Sequence, residues 1–143
     1  MTYDECVKSG KLKKKVIEGN IVQRTMEMAK DDLETAEDSI SSGNWTWSMI
    51  QSYSSMLNVA RAILFNDGYV EKTHYCVVEF LRYHYYDELE EHIERMDLMR
   101  KERHRILYDS RDSVNESSAK TRASWAKEFY TLIKKEMTPP MKD

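Results

Sequence analysis

Along residues 47–64 the side chains fall on two neighbouring helical stripes. Trp47, Ile50, Ser54, Leu57, Arg61 and Leu64 make one, and Met49, Tyr53, Met56, Ala60 and Ile63 make the other. A helix with one apolar stripe needs one neighbour, whereas two stripes are buried only by contact on more than one side, so this segment predicts the central helix of the fold. The pattern stops at Asn66-Asp67-Gly68, where Gly68 can take the left-handed conformation that closes a helix. Upstream, Val22, Met26, Ala29, Leu33, Ala36 and Ile40 alternate spacings of four and three, which predicts a long amphipathic helix in a periodic stretch that opens at Val16 and closes near Gly43. Asn44 then suits the N-cap of the central helix. Trp45 and Trp47, at its first turns, are expected to cover an end of the core.

Downstream, Thr73 can cap a third helix in which Cys76 or Val77, Phe80 or Leu81, and His84 recur at helical spacing. Asp87, Glu88, Glu90, Glu91 and Glu94 follow the cluster Tyr83-His84-Tyr85-Tyr86. Carboxylates favour the positive end of a helix dipole, so a fourth helix is expected to open there and to run along Leu89, Ile93, Met96, Arg100, Arg103 and Leu107. Residues 110–118 read as a polar linker. A last helix should bury Ala119, Ala123, Ala126, Phe129 or Tyr130, and Ile133, and Thr138-Pro139-Pro140 ends it. The expected fold is all-α: one domain over residues 1–143, an antiparallel up-and-down bundle of four long helices plus a fifth helix or short extra segment. Residues 1–15, with five lysines, read as a loosely ordered basic segment, and 138–143 as a tail.

Four glycines and two prolines in 143 residues agree with a helical fold. A net charge of −3 gives no global pull toward nucleic acid or an anionic membrane, so any such binding must come from a local patch. Cys6 and Cys76 stand far apart without companions at metal spacing, and are expected to be two unpaired, core-like thiols. No charged-then-apolar leader opens the chain, and no apolar run approaches the roughly 18 residues of a membrane span. A cytoplasmic protein without a membrane role is therefore expected.

The run Ser52-Tyr53-Ser54-Ser55-Met56-Leu57-Asn58-Val59-Ala60-Arg61-Ala62-Ile63-Leu64, followed by Gly68-Tyr69 and Lys72-Thr73-His74, resembles the signature of the HEPN family of small prokaryotic helical domains. In that family a tyrosine-rich helix ends in an Ala-Arg-Ala-Leu-Leu-like run, with a glycine turn and a histidine at the next helix start. The resemblance extends from about Met28 to Ile133. It implies a homodimer, a role in binding RNA or a nucleotide, or pairing with a minimal nucleotidyltransferase in a toxin-antitoxin-like system. The competing class is a helical homodimer with a purely structural or interaction role. Six large aromatics at helix ends (Trp45, Trp47, Tyr83, Tyr85, Tyr86 and Trp125) separately suggest a second copy.

Candidate chemistry centres on residues 95–111. Arg95, Arg100, Lys101, Arg103, Arg105 and Arg111 face only Asp97, Glu102 and Asp109 in sequence, six basic groups against three acidic ones. Arg100, Arg103 and Arg105 are candidate nucleic-acid contacts, while ion pairing along a solvated helix explains the same charges equally well. Many HEPN relatives are metal-independent ribonucleases with an arginine followed after four to six residues by a histidine. The resemblance places Arg103, His104 and Tyr108 at that motif, with Tyr108 where the histidine belongs. A phenol with a reference pKa of about 10 is a poor base at neutral pH, so ribonuclease activity is expected to be weak or absent, and Tyr108→His is expected to raise it. His74 is expected to make only a local hydrogen bond at its helix start. Glu71-Lys72-Thr73-His74 has the Glu-x-x-His spacing of a di-iron bundle, but it occurs once and at a turn. No metal or other cofactor is implied.

Overall fold

A computed structural model describes residues 1–108 and 114–137. Helix α1 (Tyr3–Lys8) leads into strand β1 (Leu12–Lys14), then α2 (Ile21–Ser41), α3 (Trp45–Asn66), strand β2 (Tyr69–Glu71), α4 (His74–Tyr108) and α5 (Glu116–Met137). The fold is all-α. Its only sheet among the described residues is the antiparallel pair β1–β2, in which Leu12 faces Glu71 and Lys14 faces Tyr69.

Helix α3 is the centre, as its two stripes require. Met49, Tyr53, Met56, Ala60 and Ile63 are all buried on one stripe, as are Leu57 and Leu64 on the other. Helices α2, α4 and α5 all pack against it. Helix α2 can approach closely because Ala29 and Ala36 present no bulk, and α3 answers with serines. The Ser55 hydroxyl donates to the Ala29 carbonyl at 2.7 Å and the Ser48 hydroxyl to that of Ala36 at 2.8 Å. These two buried hydroxyls are thereby satisfied and cost the core little, whereas the buried Ser52 hydroxyl has no partner among the described residues. Helix α5 buries Ala119, Ala123, Ala126, Phe129 and Ile133, the spacing read from the sequence.

The third and fourth helices expected from the sequence are the two arms of α4. Tyr85 (φ −134°) and Leu89 (φ −128°) leave helical geometry, and the chain doubles back there. The reversal shows in the contacts: Arg82 reaches Glu94 at 2.9 Å and Asp97 at 3.1 Å, and the Arg100 guanidinium lies 5.1 Å from the Tyr75 ring centroid. In a straight helix residues 82 and 97 would stand about 22 Å apart. The arms, 74–84 and 90–108, therefore lie side by side.

Five expectations need correction. Residues 1–15 are ordered: Thr2 and Glu5 form a capping box at the start of α1, β1 joins the sheet, and Tyr3 stacks on Tyr83 with centroids 4.0 Å apart. Cys6 and Cys76 are joined in a disulfide, with Cα atoms 5.8 Å apart; nothing in the spacing announces a bond that α1 makes possible by folding over α4. Trp47 does not close the core but is 51% exposed. Helix α2 begins at Ile21, leaving Val16 exposed, and α5 begins inside the expected linker, at Glu116. The rest of that linker through Ser113, the C-terminal tail, Asp109 and Arg111 lie outside the described residues.

The disulfide spans 70 positions, and a cross-link that closes a loop of that length stabilises the folded chain by roughly 4 kcal/mol in the chain-entropy account. Cys6→Ala is expected to lower the melting temperature of the oxidised protein by about 10 °C or more. The same comparison in dithiothreitol should shrink that gap to the small packing loss of one thiol.

Candidate anion-binding site

The reversal of α4 sets its first turn and its second arm against the same turn of α3. Tyr53, 1% exposed, lies at the centre. Its hydroxyl is 3.1 Å from Nδ1 of His74, at the first position of α4. The Arg103 guanidinium, from the second arm, sits 5.9 Å from the Tyr53 ring centroid, where the negative face of the ring attracts it. Arg100 lies one turn away on the same stripe, over Tyr75. Arg61, two turns along α3 from Tyr53, completes the group: its Nε is 3.1 Å from the Glu71 carboxylate and its Nη1 donates to Asn58. Asn58 in turn donates to Asp32 of α2 at 2.9 Å, so the position of Arg61 is relayed from the α2–α3 contact.

Two arginines on an apolar stripe thus have their explanation in the aromatic faces they cover. The electrostatics follow from the same packing. Burial pushes the Tyr53 phenol up to about 12, so it stays protonated. His74 is open to solvent at its edge, but desolvation on its Tyr53 side, followed by the charges of Arg103, Arg61 and Arg100, holds its pKa below the ordinary value. With a neutral imidazole and a protonated phenol, the tautomer that carries its hydrogen on Nε2 lets the hydroxyl donate to Nδ1. Burial alone would raise the Asp97 carboxyl; hydrogen bonds from Arg100 and Arg82 outweigh it and keep it ionised. Asp97 is engaged by Arg82, Arg100 and Lys101, and Glu71 by Arg61. Among the described residues no carboxylate pairs with Arg103. The result is a patch of excess positive charge with a neutral imidazole N–H at its rim, suited to a phosphate-type anion.

The site named from the sequence is divided by the structure. Arg103 and Arg100 belong to the cluster. His104 and Tyr108 share the exposed side of the helix, with ring centroids 4.7 Å apart, and Tyr108 is 72% exposed. Arg105 is also exposed. The imidazole that joins Arg103 is His74, so its expected local bond is corrected: its partner Tyr53 is 21 residues away. In the sequence Tyr53 and Arg61 stand out as stripe positions of the central helix and His74 as a helix-start residue, none of them as a site residue. The cue that links them to Arg103 is that an arginine on an apolar stripe needs an aromatic or anionic partner, and Tyr53 is the aromatic on the facing helix.

The fold is all-helical, and the patch gathers Arg103, Arg100, Arg61 and His74 around Tyr53 between α3 and the two arms of α4. The HEPN domain model matches residues 22–137, most of the chain, and the protein belongs to the HEPN family. No curated protein matches it. Among the described residues no helix is long and apolar enough to cross a membrane.

A histidine whose folded pKa is depressed binds fewer protons folded than unfolded, so it contributes stability above about pH 6.5 that is lost as the pH falls through its folded pKa. His74 should accordingly titrate below the ordinary histidine range in a side-chain NMR titration. Arg103→Ala, which removes the charge that lowers it most while Tyr53, Arg61, Arg100, Asp97 and Glu71 remain, should move it upward. An unchanged His74 titration in that variant would mean that Arg103 does not face the imidazole.

Proposed function

We propose that this HEPN protein acts by binding, and that its ligand is RNA or a nucleotide held by its phosphate at Arg103, Arg100 and the Nε2–H of His74. The observation that supports this reading is Arg103 itself: half-buried over Tyr53, beside a neutral imidazole, with no carboxylate partner among the described residues. A guanidinium with no carboxylate partner among the described residues gains most from an incoming anion. Arg105, two residues on and so about 200° around the helix, faces away from this cluster and is not needed for it.

Catalysis is not needed for this role. Tyr108 lies in the solvent with His104, apart from the Tyr53 face of Arg103, so a residual ribonuclease would have to draw on His74 or on a second chain. A homodimer is the second reading, favoured by Tyr86, Leu98 and Tyr108, which remain exposed after the chain has folded. Tyr83, Tyr85 and Trp125 argue for it less, since each is in contact within its own chain: Tyr83 with Tyr3, Tyr85 with Asp67, and Trp125 beneath Arg95 and Arg122. A minimal nucleotidyltransferase would be the alternative partner for the same exposed side chains.

Equilibrium binding of a short single-stranded RNA at several salt concentrations tests the main reading. Affinity is expected to fall as salt rises, and Arg103→Ala should weaken it roughly tenfold or more and flatten the salt slope by about 0.7. Binding that ignores both salt and Arg103→Ala would rule this site out. Sedimentation at tens of micromolar tests the second copy, with monomer alone as the contrary result.

A further inference from the structure

A small pocket opens where the N-terminal turns of α3 meet the end of α4. Asn44, Thr46, Trp47 and Ile50 line it from one side and Leu107 from the other, and its volume is about 240 Å³. That is below the ~300–1,000 Å³ of sites that enclose a drug-sized molecule, and leaves room for one flat ring system. Its walls have the chemistry of a ring site. Ile50 and Leu107 are apolar, Asn44 and Thr46 offer hydrogen-bonding groups, and Trp47 contributes a large aromatic surface that the fold leaves half in solvent. Among the described residues Trp47 is neither buried in the core nor stacked on another ring.

The pocket adjoins the arginine cluster. Leu107 and Arg103 lie on one stripe of α4, four residues and about 6 Å apart along the axis, and Ile50 precedes Tyr53 by one turn on α3. The same two helices that clamp Tyr53 beneath Arg103 thus form the pocket one turn further on. A nucleotide has the matching layout, a flat ring joined through a sugar to a phosphate a few ångströms away.

We infer that the Trp47 pocket receives an unpaired nucleobase whose phosphate lies on Arg103. This rests on the phosphate reading above and adds a base site to it. Ligands with phosphate but no base should bind only through the arginine end. Free mononucleotides and single-stranded RNA share the required chemistry, whereas the bases of a duplex are stacked and unavailable.

The test compares adenosine monophosphate, ribose 5-phosphate and a short single-stranded oligoadenylate on the full-length protein by isothermal titration, with quenching of tryptophan fluorescence as a second readout. Adenosine monophosphate or the oligoadenylate should bind roughly 5- to 100-fold more tightly than ribose 5-phosphate, the range that stacking of one base on an aromatic side chain supplies. Trp47→Ala, at a half-exposed position that the fold does not rely on, should reduce that advantage to near unity and leave ribose 5-phosphate binding unchanged. Trp47→Phe should restore most of it. Tight binding by the oligoadenylate alone would assign the pocket to RNA, and comparable binding per site by both would assign it to nucleotides.

Equal affinity for adenosine monophosphate, the oligoadenylate and ribose 5-phosphate overturns the base pocket while sparing the phosphate site. So does a Trp47→Ala variant that binds the base-bearing ligands as well as wild type, and if the variant also turns a dimer into a monomer, the pocket is an interface between copies. Failure of all three ligands to bind overturns the phosphate reading and this inference together.

Discussion

The structure depends on the reversal of α4 at Tyr85–Leu89, clamped by Arg82. One guanidinium bridges the arms by binding Glu94 and Asp97, while its tie to Glu79, at 2.9 Å, fixes it to the first arm. Arg82 is about a quarter exposed and Glu94 about half, so solvent screens part of this network. Its consequence is geometric: without the reversal, His74 and Arg103 would stand about 43 Å apart at opposite ends of a straight helix. With it, both meet Tyr53. The carboxylate that closes the hairpin, Asp97, is also the one that holds Arg100, so the clamp and the site share a residue.

The N-terminal segment secures the other side of the same arm. The disulfide ties α1 to Cys76, two residues beyond His74, and the Tyr75 hydroxyl donates to the Met1 carbonyl at 2.6 Å. Tyr3 stacks on Tyr83 and its hydroxyl meets His84 at 3.1 Å, so α1 covers the first arm at both ends. The imidazole therefore sits on a helix start held by α3 through Tyr53, by the second arm through Tyr75 and Arg100, and by α1 through sulfur. That rigidity suits a binding site, where a pre-placed donor loses little freedom when an anion arrives. Both cysteines are fully buried, which shields the bond from exchange.

The helices were legible because periodicity reports burial. The two stripes of α3, the alanine series of α5 and the acidic opening of the second arm of α4 each come from local spacing, and each stands where the spacing put it. Contacts between distant segments were not legible in the same way. Cys6 with Cys76, Tyr3 with Tyr83, and Tyr53 with His74 depend on how α1 and the two arms of α4 are laid over α3, which no window of the sequence encodes. The candidate site divides along the same line. Arg100 and Arg103 stood out locally as charges on an apolar stripe, while the imidazole beside them had to come from another segment. His104 was the nearer histidine in sequence, and its helix turns it outward with Tyr108.

The central claim is that the folded-back α4 makes His74 and Arg103 one anion site, and histidine side-chain NMR with an added phosphate ligand tests it most directly. On titrating adenosine monophosphate into the full-length protein, the His74 ring resonances should shift and its pKa should rise, because a bound dianion favours the imidazolium. His104, on the exposed side, should stay unchanged, and Arg103→Ala should abolish the response. A ligand that perturbs His104 and leaves His74 untouched would contradict the account and return the site to the exposed Tyr108 side of the helix.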